Sequence, residues 1–137
     1  MRQILDYPLW LGHVGDARDV RAVLSAEIRA VVDLAADELP VVLPRDLVYH
    51  RFPLVDGPGN PPWLLRSAIA TVADLLRAGI PTLLYCSAGM SRTPVIAAGA
   101  LAQVLCRPFA ETLAIIAATG PTDVSPGLSA DVQATLA

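Results

Sequence analysis

Residues 83–95 read LLYCSAGMSRTPV, and three kinds of local structure follow one another within them. Thr82 to Cys86, TLLYC, is a short continuous apolar run, as expected of a strand covered on both faces. From Ser91 to Leu105 the chain turns apolar all round, which predicts a central, buried helix. Only the turn SAGMS, residues 87–91, separates the two. A buried strand feeding a buried helix through a tight loop is an α/β signature.

The elements on either side agree. RAVVDLA (29–35) and LVYHRFPLVD (47–56) are β-branched or apolar runs that read as strands, joined by a loop that Pro40 and Pro44 mark. GDARDVRAVLSAEI reads as a capped helix, with Asp16 as N-cap, Asp19 in the first turn, and Val20, Val23, Leu24 and Ile28 on one face. In the following helix Asn60 is expected to cap and Pro61 to take the first position, with Gly79 and Pro81 at its end. Leu65, Ile69, Val72 and Leu76 share one side of it. FAETLAIIAAT (109–119) and LSADVQATL (128–136) predict two further helices.

With 137 residues the chain reads as one domain, 1–137, able to bury its own core. It contains no lysine, and a net charge of −3 speaks against a nucleic-acid binder. The N-terminus shows no secretory signal, and the run Pro94–Cys106 is too short to span a bilayer, which needs about 20 residues. If Ser91–Leu105 is helical, Cys86 and Cys106 sit near opposite ends of a rod about 22 Å long. Disulfide-bonded residues need α-carbons within about 7 Å, so both thiols are expected free, as in a reducing cytoplasm.

The loop has a definite chemistry. Its backbone N–H groups and the positive end of the helix converge on an anion site formed by Ser87, Ala88, Gly89, Met90 and Ser91. Gly89 permits a conformation that a β-carbon opposes. Arg92 can hold two oxygens of a phosphate in a bidentate grip. The same field favours the thiolate of Cys86, a nucleophile aimed at phosphorus.

YCSAGMSRTP resembles the signature of the cysteine-dependent protein phosphatases, in the dual-specificity branch, whose usual form is His-Cys-x-x-Gly-x-x-Arg-Ser/Thr. Cys86, Gly89, Arg92 and Thr93 match it, and Ser91 is a common choice in that branch. LWLGHVGDARDV, IRAVVDLA and YHRFPLVDGPG are similar to the family's opening strand and helix, its next strand, and the strand entering its acid loop. The likeness covers nearly the whole chain, most faintly at 35–46 and after Thr119. It implies a phosphotyrosine phosphatase-like fold: a central, mostly parallel sheet flanked by helices, with the cysteine loop between a central strand and a buried helix. It also implies an activity, hydrolysis of phosphoric monoesters through a cysteinyl-phosphate. Asp56, thirty positions before Cys86 on a Gly/Pro-rich loop, is then the general acid and later the base. Thr93 is expected to hydrogen-bond the sulfur. No cofactor or metal is called for, because Arg92 and the amides supply the electrostatics.

Tyr85 departs from the pattern, where the family has histidine. A phenol donates a hydrogen bond but brings no positive charge, so Tyr85 is expected to modulate Cys86 and leave it a weaker acid than in a histidine-bearing relative. The expected substrate is a phosphorylated protein or a small phosphate ester, with no nucleic-acid or membrane partner; oligomeric state is not readable. A loop without lysine disfavours inositol lipids, and a short 35–46 segment without aromatics predicts a shallow pocket. The competing readings are an inactive relative that binds a phosphorylated ligand, and sulfurtransferase or arsenate reductase chemistry on a similar loop. Other residues are expected to be structural: Trp10 and Trp63 core anchors, Cys106 buried, Asp33 and Asp37 at a strand end and in a loop, His13 and His50 at the surface, Arg51 at the rim.

Overall fold

The computed structural model describes residues 1–137. Five strands form one sheet: β1 (Arg2–Gln3), β2 (Leu9–His13), β3 (Ala30–Ala35), β4 (Val48–Leu54) and β5 (Thr82–Cys86). Their spatial order is β1-β2-β5-β3-β4, parallel throughout except for β1, which runs antiparallel to β2. β3 and β5 are buried at every residue, which explains their unbroken apolar runs. β4 lies at the edge, where alternating burial and Pro53 cost no ladder bond with a second neighbour.

Two short helices, α1 (Val14–Arg18) and α2 (Val20–Ser25), cover one face. They replace the single helix read from Asp16 onward. His13 is the first N-cap, and Asp16 is its return partner in a capping box, accepting from the His13 backbone N–H at 3.0 Å. Asp19 caps α2. Leu24 is exposed and Ile28 lies beyond the helix, so the expected apolar face is only partly formed.

The other face carries α3 (Pro62–Arg77), α4 (Arg92–Leu105), α5 (Phe109–Ala117) and α6 (Pro126–Leu136). The stripe on α3 is buried as its spacing predicts, and α4 is buried along its first eleven residues. Gly99 lets α4 approach α3 and α6, because a β-carbon there meets Ile69 at 3.1 Å. No helix is long and apolar enough to cross a membrane.

Three expectations about single residues change. Trp63 is 62% exposed, at the start of α3 on the side turned from the sheet. Cys106 is exposed at the C-cap of α4 with φ 53°, and both cysteines are free. Asp33 is fully buried inside β3.

The topology gathers the chemistry. β2, β3, β4 and β5 are parallel, so all four carboxyl ends open on one edge of the sheet, where α/β folds place their ligands. The loops after β3, β4 and β5 therefore meet there.

Candidate active site

Cys86 is the last residue of β5 and only 2% exposed. Gly89 folds the loop back over it, with φ 73° and its N–H donating to Cys86 Sγ at 3.2 Å. A β-carbon on Gly89 stands 2.7 Å from Gly12 O of β2, so close approach and backbone angle both demand glycine. The N–H groups of Ser87, Ala88, Met90 and Ser91 find no acceptor within the protein. Donors left free at a helix N-terminus are what an oxyanion needs.

Arg92 opens α4 and is buried. Its Nη1 donates to Asp37 Oδ1 at 2.8 Å and to Leu54 O at 2.9 Å, while its Nε is buried without a partner. Burial works against the guanidinium charge, but the bond to Asp37 and the charges of Cys86, Asp37 and Asp56 outweigh it, so its pKa is raised. Arg92 in turn holds the Asp37 carboxyl down, to about 2. Asp37, expected only as a loop residue, thus belongs to the site. Nothing local in AADELP distinguishes it from Glu38; only the parallel pairing of β3 with β5 carries it to Arg92.

Asp56, exposed on the loop after β4, accepts from the Ser91 hydroxyl at 2.6 Å. Ser91 Oγ accepts in turn from Ser125 N–H at 2.9 Å. Cys86, Arg92 and Asp56 line one open pocket of about 200 Å³ with Ala88, Met90, Ser91 and Asp123. Asp123 was not foreseen. It comes from the segment between α5 and α6, tied to the cysteine loop by its N–H to Met90 O at 2.8 Å.

Asn60 is not the cap of α3, a place taken by Pro61. It is buried, and its side-chain amide accepts from Val55 N–H at 2.9 Å and donates to Val55 O at 2.9 Å and Gly57 O at 3.3 Å. It closes the loop carrying Asp56 into a ring.

One expected bond is not made. The Thr93 hydroxyl is buried without any hydrogen-bond partner, so it does not reach Cys86 Sγ. The Tyr85 hydroxyl also makes no hydrogen bond. Successive side chains of a strand alternate faces, so Cys86 joins the larger core and Tyr85 the smaller one under α1 and α2. Burial first, then Tyr49 and Asp33, push the Tyr85 phenol far up, so it stays neutral. Tyr49 donates to Asp33 Oδ2 at 2.6 Å, and Asp33 Oδ1 accepts from Ala35 N–H at 2.8 Å where the β3–β4 register shifts. Arg51, the expected rim residue, pairs with Asp33 at 3.4 Å and donates to Ala35 O and Glu38 O. Around the buried Asp33, the partly buried Tyr49 and the exposed Arg51 form a polar cluster that steadies the strand end from which the Asp37 loop departs.

The fold is that of the cysteine-dependent protein phosphatases, and within them of the dual-specificity branch. The structure of DUSP15 superposes with a TM-score of 0.84 at 24% identity, over 99% of this chain and 86% of that one. Human DUSP28 gives 0.83 at 21% identity, over 94% and 91%. The human tyrosine phosphatase-like serine/threonine/tyrosine-interacting protein gives 0.84 at 16%, over 98% and 93%. No family model matches the sequence, and no curated protein does.

Proposed function

We propose that this protein is a dual-specificity-type phosphatase, a phosphoric monoester hydrolase working through a cysteinyl-phosphate. One observation carries the reading: Cys86, Arg92 and Asp56, from a strand end, a helix start and a separate loop, face one pocket floored by unpaired amide donors. Arg92 and the N–H groups of residues 87–91 hold the phosphoryl oxygens. The Cys86 thiolate forms the S–P bond as the ester P–O bond breaks, and the leaving oxygen takes a proton from Asp56. Water then attacks phosphorus and gives its proton to Asp56. The S–P bond breaks, and phosphate leaves the regenerated thiolate. Ser91 engages Asp56 Oδ1, which leaves Oδ2 to carry the proton.

The substrate is a phosphorylated protein or a small phosphate ester. Asp37 and Asp123 stand beside a single guanidinium, so a substrate with further negative charge beside its phosphate is repelled. This supports monoesters over polyphosphorylated ligands.

The test is hydrolysis of an aryl phosphate by wild type, Cys86→Ser and Asp56→Asn, with chelator present. Cys86→Ser abolishes turnover and Asp56→Asn lowers it by about 10²–10⁴-fold, the usual span for a general acid. Sustained turnover by Cys86→Ser overturns the mechanism. The second reading, capture of a phosphorylated ligand without turnover, draws on Tyr85 standing where histidine is usual; wild type that binds phosphate yet hydrolyses nothing establishes it instead.

A further inference from the structure

We propose that α6 is a brace that sets the general acid, and that Asp131 on it is a positioning residue for Asp56; this rests on the phosphatase reading above. The acid loop, residues 55–60, has its own internal tie in Asn60, but that ring does not say where the loop points. Its orientation comes from three contacts with the chain's last helix and that helix's cap. Asp131 Oδ2 accepts from Gly59 N–H at 2.9 Å. Ser125, the N-cap of α6, donates its N–H to Ser91 Oγ, which bonds Asp56. Gly127 lies against Pro58 so closely that a β-carbon would stand 2.8 Å from its Cδ.

The brace is itself anchored. Leu128 and Val132 of α6 are fully buried in the main core, beside α3 and α4. Asp131 lies between them in sequence and is half-buried at the loop. Loss of the Asp131 bond therefore frees Gly59 while the Ser125–Ser91 bond stays in place. Proton donation demands placement within hydrogen-bond reach of the leaving oxygen, so a small shift of this loop weakens leaving-group departure, the one of Asp56's two steps that depends on the ester. Phosphate binding, which uses Arg92 and the amides of the cysteine loop, does not pass through Gly59.

The dependence on leaving group separates this role from general destabilisation. Steady-state rates are measured for wild type, Asp131→Ala and Asp131→Asn, with a fluorinated aryl phosphate and an alkyl phosphate. The fluorinated phenoxide, a weak base, departs with little help from the acid; the alkoxide does not. Asp131→Ala is expected to lower kcat/KM, which reports the steps through leaving-group release, about tenfold for the alkyl ester, a fraction of a general acid's usual effect, and to change kcat/KM for the aryl ester by less than about twofold. Asp131→Asn keeps an acceptor for Gly59 and restores most of the loss. Gly127→Ala, one turn earlier on the same face of α6, pushes on Pro58 and reproduces the selective defect should Asp131→Ala prove unstable. Equal losses on both substrates, or none, overturn the brace while leaving the phosphatase standing. Wild type inactive on the aryl ester, or as active as Cys86→Ser, removes the phosphatase reading and the brace with it.

Discussion

Gly89 has the least freedom of any residue at the site. It takes φ 73° and has Gly12 O where a β-carbon would go. A left-handed residue with a side chain costs about 1–2 kcal/mol, and the clash adds to that. Gly89→Ala is therefore expected to lower stability by at least this much in urea titration and to abolish turnover, because the N–H that meets Cys86 Sγ turns away. Tyr85 offers the opposite case. Its hydroxyl is buried and unpaired, so Tyr85→Phe is expected to hold or slightly raise the melting temperature. Tyr85→His brings a chargeable ring behind the nucleophile and is expected to speed alkylation of Cys86 by iodoacetamide at pH 6. An unchanged alkylation rate in a folded variant refutes the modulating role.

Among the elements, the loop after β3 gains its order from what it touches. Arg51 binds two of its carbonyl oxygens, and Asp37 grips Arg92. This pair leaves a pH signature. In the unfolded chain the Asp37 carboxyl titrates near 3.8; in the fold the bond from Arg92 lowers it to about 2. Between these values the unfolded chain binds a proton that the folded one refuses, so the pair's stabilisation, complete above pH 4, is lost as pH falls towards 2. The Asp37 side chain is 61% exposed, so solvent screens much of the gain. Thermal melts from pH 5 to pH 2 are expected to fall more steeply for wild type than for Asp37→Asn. Parallel curves count against the pairing.

Taken as a whole, the molecule places its few charges unevenly. No lysine is present, and beside the general acid two carboxylates, Asp37 and Asp123, accompany the site's one arginine. Phosphopeptides with arginine beside the phosphoresidue are expected to show kcat/KM about tenfold above those with glutamate, the equivalent of roughly 1.4 kcal/mol. Raising ionic strength narrows the gap, because charges this exposed are screened within about 10 Å at 0.1 M salt. Equal rates for the two peptide sets dismiss the charge argument.

How much of this was legible beforehand differs by element. β3, β5, α3 and α4 follow from period and punctuation alone, because each carries one uniform pattern from end to end: apolar throughout, or apolar on one stripe. Cys86, Gly89 and Arg92 were likewise readable, since a tight loop between strand and helix forces neighbours in sequence to be neighbours in space. The region from His13 to Ser25 was not. Its two short helices depend on a histidine cap and a break at Asp19, and local propensity cannot choose these over one continuous helix. Asn60 was misjudged for a similar reason, as an asparagine before two prolines looks like a cap until the ring it closes is seen.

The amino-acid order by itself thus determined the local units: strand, anion loop, buried helix, and the nucleophile and guanidinium spaced along them. Tertiary structure alone decided the long-range partners. Asp37 meets Arg92 across 55 positions, Asp56 meets Ser91 across 35, and Asp131 meets Gly59 across 72. Such pairs carry no mark of their own in sequence, because a carboxylate that will meet an arginine or an amide has the same neighbours as one that will face water. Parallel strand order and helix packing bring them together, and those arise from the burial of the whole core.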